Sequence, residues 1–262
     1  MKQIIITGDS WGVGEWQEDT GEIFHNGIAQ YFVEDGVDVI NLSQGGASNK
    51  IVAKHLRHFL KANKHQKSAA IIIFQTEWTR DSSIEMVQTF FEDFPSLPRN
   101  TPVYDEFLNI DSSDKPNRFI AAQNKVMSSY YYRLSAISQN YNIPVYVIGG
   151  ASDTIWLDKF NKEYPGVSIL CQSVTNLIIN NNHRIDSPVY SSFGARHETD
   201  IALIKKEASA EEFSSVLDAV VRGMDRYDLW RNNREWFYPD GQHPNRKGHK
   251  ILYDFVKDNL KQ

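Results

Sequence analysis

Apolar residues fall along this chain in two alternating patterns. Short, nearly continuous runs of branched side chains occur at Ile4-Ile5-Ile6, Val37-Asp38-Val39-Ile40, Ala69 to Phe74 and Pro144-Val145-Tyr146-Val147-Ile148. Such runs suit strands of a parallel sheet covered on both faces. Between them the period lengthens. Val52, Leu56, Phe59 and Leu60 share one helical stripe, as do Met127, Tyr130, Tyr131, Leu134, Ile137 and Tyr141. Two further helices are predicted. Phe213, Val216, Leu217, Val220, Val221 and Met224 follow a Ser209/Glu212 capping box, and Ile251, Leu252, Phe255, Val256 and Leu260 follow the turn signal Pro244-Asn245. Strands alternating with helices predict a three-layer α/β/α sandwich with a mainly parallel central sheet, in which a ligand sits at the carboxyl ends of the strands.

Two stretches break the alternation, at about 78–117, with Pro95, Pro98, Pro102 and Pro116, and at about 151–207. Both read as long insertions in a single domain spanning 1–262, because no linker or internal repeat divides the chain. The 262 residues suffice for one large domain or two small ones, and a 41% hydrophobic content excludes intrinsic disorder. Lys plus Arg number 28 against 33 for Asp plus Glu, a net charge of −5, which argues against nucleic acid as the partner. The single cysteine, Cys171, excludes an internal disulfide or a thiolate metal site and reads as a core residue. The start, MKQIIITGDS, is too short an apolar run for an export signal, and no run reaches membrane-spanning length, so a soluble cytoplasmic protein without a membrane partner is expected.

The chemistry lies at the two ends. After the first strand, Thr7-Gly8-Asp9-Ser10-Trp11-Gly12-Val13-Gly14 makes a glycine-rich turn that leaves Ser10 at the sheet edge, where a nucleophile is useful. A serine needs a base, itself oriented by a third group. Near the C-terminus, Pro239-Asp240-Gly241-Gln242-His243-Pro244-Asn245 holds an aspartate three residues before a histidine, so that Asp240 can orient His243 and His243 can take the proton of Ser10. Singly, each signal is a common turn or cap; together, at opposite ends of an alternating chain, they point to a Ser-His-Asp triad. The competing sites lack support. No Gly-Lys-Ser/Thr follows Gly8, Gly12 and Gly14, which removes a phosphate loop, and His243 and His249 have no third ligand at recognisable spacing, so neither metal nor cofactor is expected. His249 reads as a surface or packing residue, and His55, His58, Lys54 and Arg57 as a solvated helix face. Trp230, Trp236, Phe237 and Tyr238 precede the Asp-x-x-His loop and read first as core or loop anchors.

These blocks resemble the SGNH, or GDSL-like, serine hydrolases. The Gly-Asp-Ser at the first strand matches, and Asp240 to His249, with its Pro-Asn and Gly, is similar to the family's last block. The Gly-Asp-Ser-Trp-Gly wording is also similar to members encoded by bacteriophages. The resemblance implies a flavodoxin-like hydrolase fold, esterase activity through Ser10, His243 and Asp240, and no cofactor. It implies an oxyanion donor in the loop Asn41 to Asn49, where Gly46 is the choice and Gly45 the alternative. The third block departs: Gln75-Thr76-Glu77-Trp78 places Glu77 where the family has a donor asparagine, and an ionised carboxylate there repels an oxyanion. Three resolutions are open. Burial protonates Glu77; Glu77 points away, towards Arg80, while Gln75, Thr76 or an insertion supplies the donor, the favoured resolution; or the chain is a degenerate, binding or structural relative. The substrate expected is a small acyl ester of a polar or carbohydrate molecule.

Overall fold

The branched run at the N-terminus, β1 (Gln3–Thr7), lies one strand in from the edge of a five-stranded sheet. In this computed structural model the structure describes residues 3–17, 20–63, 68–76, 115–150, 164–181, 233–238 and 243–260. The chain continues through α1 (Ser10–Val13), β2 (Glu15–Trp16), β3 (Ile23–His25), α2 (Gly27–Glu34), β4 (Asp38–Asn41), α3 (Asn49–Ala62) and β5 (Ser68–Gln75). Then come α4 (Lys115–Tyr141), β6 (Val145–Gly149), β7 (Val167–Cys171), α5 (Val174–Asn180) and α6 (Arg246–Asn259). The sheet order is β4-β1-β5-β6-β7 and every pairing is parallel. β2 and β3 form a separate antiparallel pair.

Strand alternation divides the core. Ile4, Ile6, Ile72, Phe74, Ile148 and Cys171 pack with α2, α5 and α6 in one cluster. The intervening residues, Ile5, Ile71, Ile73, Val145 and Val147, are fully buried and alternate to the opposite face. There Tyr131 of α4 donates a hydrogen bond to Gln75 Oε1, and α3 packs against α4. The expected three layers and parallel sheet are therefore present.

Two elements differ from the sequence reading. β7 and α5 lie inside the second supposed insertion, because Val167-Ser168-Ile169-Leu170-Cys171 alternates with only Val167, Ile169 and Cys171 buried. A five-residue alternating strand at a sheet edge is a weaker signal than a continuous run. α2 was also not predicted: it is eight residues long, its buried stripe being Ile28, Ala29 and Phe32. The proposed helix at 213–224 and most of both insertions lie outside the described residues. Among the described residues no helix is long and apolar enough to cross a membrane.

Candidate active site

Ser10 stands at the start of a single helical turn built by its neighbours. Asp9, fully buried, caps that turn: its Oδ1 accepts from Trp11 N–H at 3.0 Å and its carbonyl from Gly12 N–H at 3.1 Å. Gly8 lets the turn leave β1 against β5, since a Cβ there would stand 2.6 Å from Phe74 Cβ. The Asp before the serine is thus a cap, and the Gly before that is a close approach.

His243 is brought to Ser10 by a second local construction. Tyr238 N–H donates to His243 O at 2.9 Å, Asn245 N–H donates to Trp236 O at 2.8 Å, and Phe237 forms an antiparallel bridge with Pro244. Asn245 then caps α6, its Oδ1 accepting from Lys247 N–H at 2.9 Å and Gly248 N–H at 3.2 Å, while its Nδ2 donates to Glu235 O. The result places His243 Nε2 2.8 Å from Ser10 Oγ, the distance at which a hydroxyl donates to an unprotonated imidazole nitrogen. Asp240 lies outside the described residues.

Two tryptophans wall the imidazole, which is buried. The Trp11 ring centroid is 5.6 Å away, and Trp16 meets the imidazole at 4.8 Å with the planes 75° apart. Tyr238 packs edge-on against Trp16 at 5.4 Å. An ion pair of 2.6 Å between Glu15 and Arg246 fastens the strand carrying Trp16 to the helix that follows His243. Trp11 was expected near the site from its position after Ser10; Trp16 was not singled out, because nothing local in the sequence joins it to the C-terminal loop. Of the aromatic cluster, Phe237 is core and Trp236 packs against that core, as anchors should, whereas Tyr238 belongs to the wall of the site. Trp230 and Trp78 lie outside the described residues.

The loop after β4 is laced to the serine turn. Asn41 Nδ2 donates to Gly12 O at 2.9 Å, Asn41 Oδ1 accepts from Ser43 N–H at 3.0 Å, and Gln44 N–H donates to Gly8 O at 3.0 Å. Gly46 has φ +73° and Gly45 does not take a positive φ, so the conformation that favours glycine is at Gly46. Both are exposed at the loop.

The third block is held by a residue that sequence reasoning missed. Asn49, fully buried, clamps the backbone of Thr76: its Nδ2 donates to Thr76 O at 3.0 Å and its Oδ1 accepts from Thr76 N–H at 3.1 Å. The Thr76 N–H is therefore committed to Asn49, and Gln75 Oε1 is engaged by Tyr131 on the α4 face. Glu77 itself lies outside the described residues. Asn49→Ala is expected to destabilise the fold by about 2 kcal/mol, since it removes two buried hydrogen bonds to the Thr76 backbone; urea denaturation measures it.

His249 is a packing residue, and its burial is complete. Both ring nitrogens are buried without a hydrogen-bond partner, and the ring lies against Gly27. Burial, with the charges of His25 and His243, pushes its pKa down to about 3. His25 is also lowered, first by burial and then by Arg246. Its Nδ1 accepts from Gly27 N–H at 3.1 Å, a bond that requires that nitrogen to be unprotonated.

No family model matches this chain and no curated protein matches it. Among solved structures it is similar to a lipase from a goat rumen metagenome, 12% identical over 98% of this chain and 97% of that one, with a TM-score of 0.45. It is also similar to a lipase/acylhydrolase from Enterococcus faecalis, 15% identical over 99% and 95% of the two chains, with a TM-score of 0.37. A member of the lipolytic G-D-S-L family from Veillonella parvula is 12% identical over 99% and 98%, with a TM-score of 0.34. Likenesses this distant leave the chemistry to rest on the residues themselves.

Proposed function

We propose that this protein is a serine-dependent ester hydrolase of the SGNH type. The observation that carries the reading is the 2.8 Å contact between Ser10 Oγ and His243 Nε2, made by residues at opposite ends of the chain and shielded by Trp11 and Trp16. In this reading His243 takes the hydroxyl proton as Ser10 attacks the acyl carbonyl, then returns it to the leaving alcohol. Asp240, three residues before His243, orients the imidazole and stabilises its charged form. Backbone N–H groups of Ser10 and Gly46 bind the tetrahedral oxyanion, and water releases the acyl group by the reverse sequence. The substrate is a small acyl ester of a polar or carbohydrate molecule.

The direct test is covalent. Exposure of the purified protein to a fluorophosphonate should add one phosphonyl group, located at Ser10 by peptide mass analysis, with no adduct on His243→Ala. An unmodified Ser10 in the native protein would instead favour a binding protein that keeps the fold, the reading to which Glu77 lends itself.

Trp16 gives a second, graded test. Trp16→Ala is expected to lower kcat for a short p-nitrophenyl ester about 3- to 10-fold, because one wall orienting His243 is lost while Ser10 and the fold remain. Trp16→Phe should recover most of that loss. Equal rates in all three proteins would remove Trp16 from the site.

A further inference from the structure

Asn41, the last residue of β4, uses the two atoms of its side-chain amide in two different places. Its Oδ1 accepts from Ser43 N–H at 3.0 Å, which turns the chain out of the strand and into the loop that carries Gly46. Its Nδ2 donates to Gly12 O at 2.9 Å, 29 residues away in the serine turn. An aspartate would make the first bond as well; only an amide donates as well as accepts. The second bond has its own reason in the turn. Ser10–Val13 is four residues long, so its carbonyls have no following helical turn to accept from, and Asn41 supplies Gly12 O with a donor. Asp9 caps one end of the turn and Asn41 holds the other.

The loop and the turn also touch. A Cβ on Gly12 would stand 2.3 Å from Ser43 Oγ, so no side chain fits between them. Gln44 N–H donates to Gly8 O at 3.0 Å, which sets the loop's hydrogen bonds two residues before Ser10 and two residues after it. Ser10 is thus bracketed by the segment that leads to Gly46. Asn41 is an exposed residue, unlike the fully buried Asn49 at the other end of the same loop. An exposed side chain adds little to global stability, so these two bonds fix local geometry more than they hold the fold.

We propose that Asn41 is a positioning residue for the oxyanion site: its rigid amide sets the Ser10 turn and the Gly46 loop at the separation that brings both backbone N–H groups onto one developing oxyanion. This deepens the ester-hydrolase reading and rests on it. Oxyanion donors act over a narrow range, about 2.7–3.1 Å from the position that the oxyanion takes, and not from that of the ground-state carbonyl oxygen. A small drift between turn and loop therefore weakens transition-state binding and leaves binding of the ester nearly as it was.

The test compares wild type with two full-length variants. Asn41→Ala removes both bonds, and Asn41→Asp keeps the acceptor for Ser43 N–H and loses the donor to Gly12 O. Each is expected to lower kcat for a short p-nitrophenyl ester about 10- to 100-fold, less than the loss of a whole donor, with KM within about threefold of wild type. A short alkylboronic acid, which adds to Ser10 Oγ as a tetrahedral anion, should lose affinity by about the factor lost in kcat/KM. Rates are taken per site that a fluorophosphonate labels at completion, and a melting temperature close to wild type shows the fold intact. A merely structural loss would shrink the labelled fraction and move neither kcat per labelled site nor boronate affinity. If neither Asn41 variant folds, Gly12→Ala, which pushes Ser43 off the turn, takes their place with the same expected losses. Unchanged kcat per labelled site, a rise in KM alone, or a fall in kcat with the boronate bound as tightly as before would each overturn the inference and leave the hydrolase reading standing. A wild type that neither hydrolyses the ester nor takes up the fluorophosphonate would remove both.

Discussion

Ser10→Ala is expected to lower kcat/KM for a short-chain p-nitrophenyl ester by about 10³- to 10⁶-fold. The hydroxyl is the only atom in the proposed scheme that forms a bond to the acyl carbon, and no other side chain can substitute for it. What remains is the contribution of the oxyanion site and of binding, which survives without the nucleophile. His243→Ala should cost a comparable factor, and the double variant little more than either single one, because the two groups act as a unit across their 2.8 Å contact. That non-additivity is the sharper readout. A Ser10→Ala protein within about tenfold of wild type would remove Ser10 as the nucleophile, and independent, multiplying losses would remove the partnership with His243.

Acid is expected to destabilise the protein well before its carboxylates titrate. His249 has its pKa depressed to about 3 in the fold, against an ordinary value near 6.5 when unfolded. Between those limits the unfolded chain binds a proton that the folded chain does not. Stability is therefore complete above about pH 6.5 and falls as pH drops through that value towards 3, at about 1.4 kcal/mol per pH unit for this one group. From pH 7 to pH 5 the loss from His249 alone is about 2 kcal/mol. His25, also depressed, adds a loss of the same sign, and protonation there breaks its bond from Gly27 N–H. Urea midpoints measured across this range should show the fall, and His249→Leu should flatten it to what His25 leaves. An unchanged slope in that variant would show that His249 is not buried in its neutral form.

The fold was legible where burial is continuous. The runs at Ile4 and at Ala69 to Phe74 could only be strands covered on both faces, and they are the middle of the sheet. The edge strand β7 and the short α2 were missed, because each has too few buried positions to set a period above its surroundings. The same distinction holds at the site. Ser10 and His243 were found because each sits in a local construction with a sequence signature, a cap before the serine and a Pro-Asn helix start after the histidine.

Asn49 and Trp16 were not found, for a different reason. An asparagine after Ser48 reads as a helix start, and only folding turns its amide onto the backbone of Thr76. Trp16 reads as one aromatic among many until the β2–β3 pair lays it on His243.

The sequence by itself determined the alternating α/β order, the capped serine turn and the histidine loop, since each depends on residues a few positions apart, through side-chain period and local hydrogen bonds. Tertiary structure alone decided the 2.8 Å meeting of Ser10 and His243, the tryptophan walls and the clamp on Thr76. Those depend on which strands lie side by side and which helices share a face, and sheet order is set by the packing of the whole core and not by any local window.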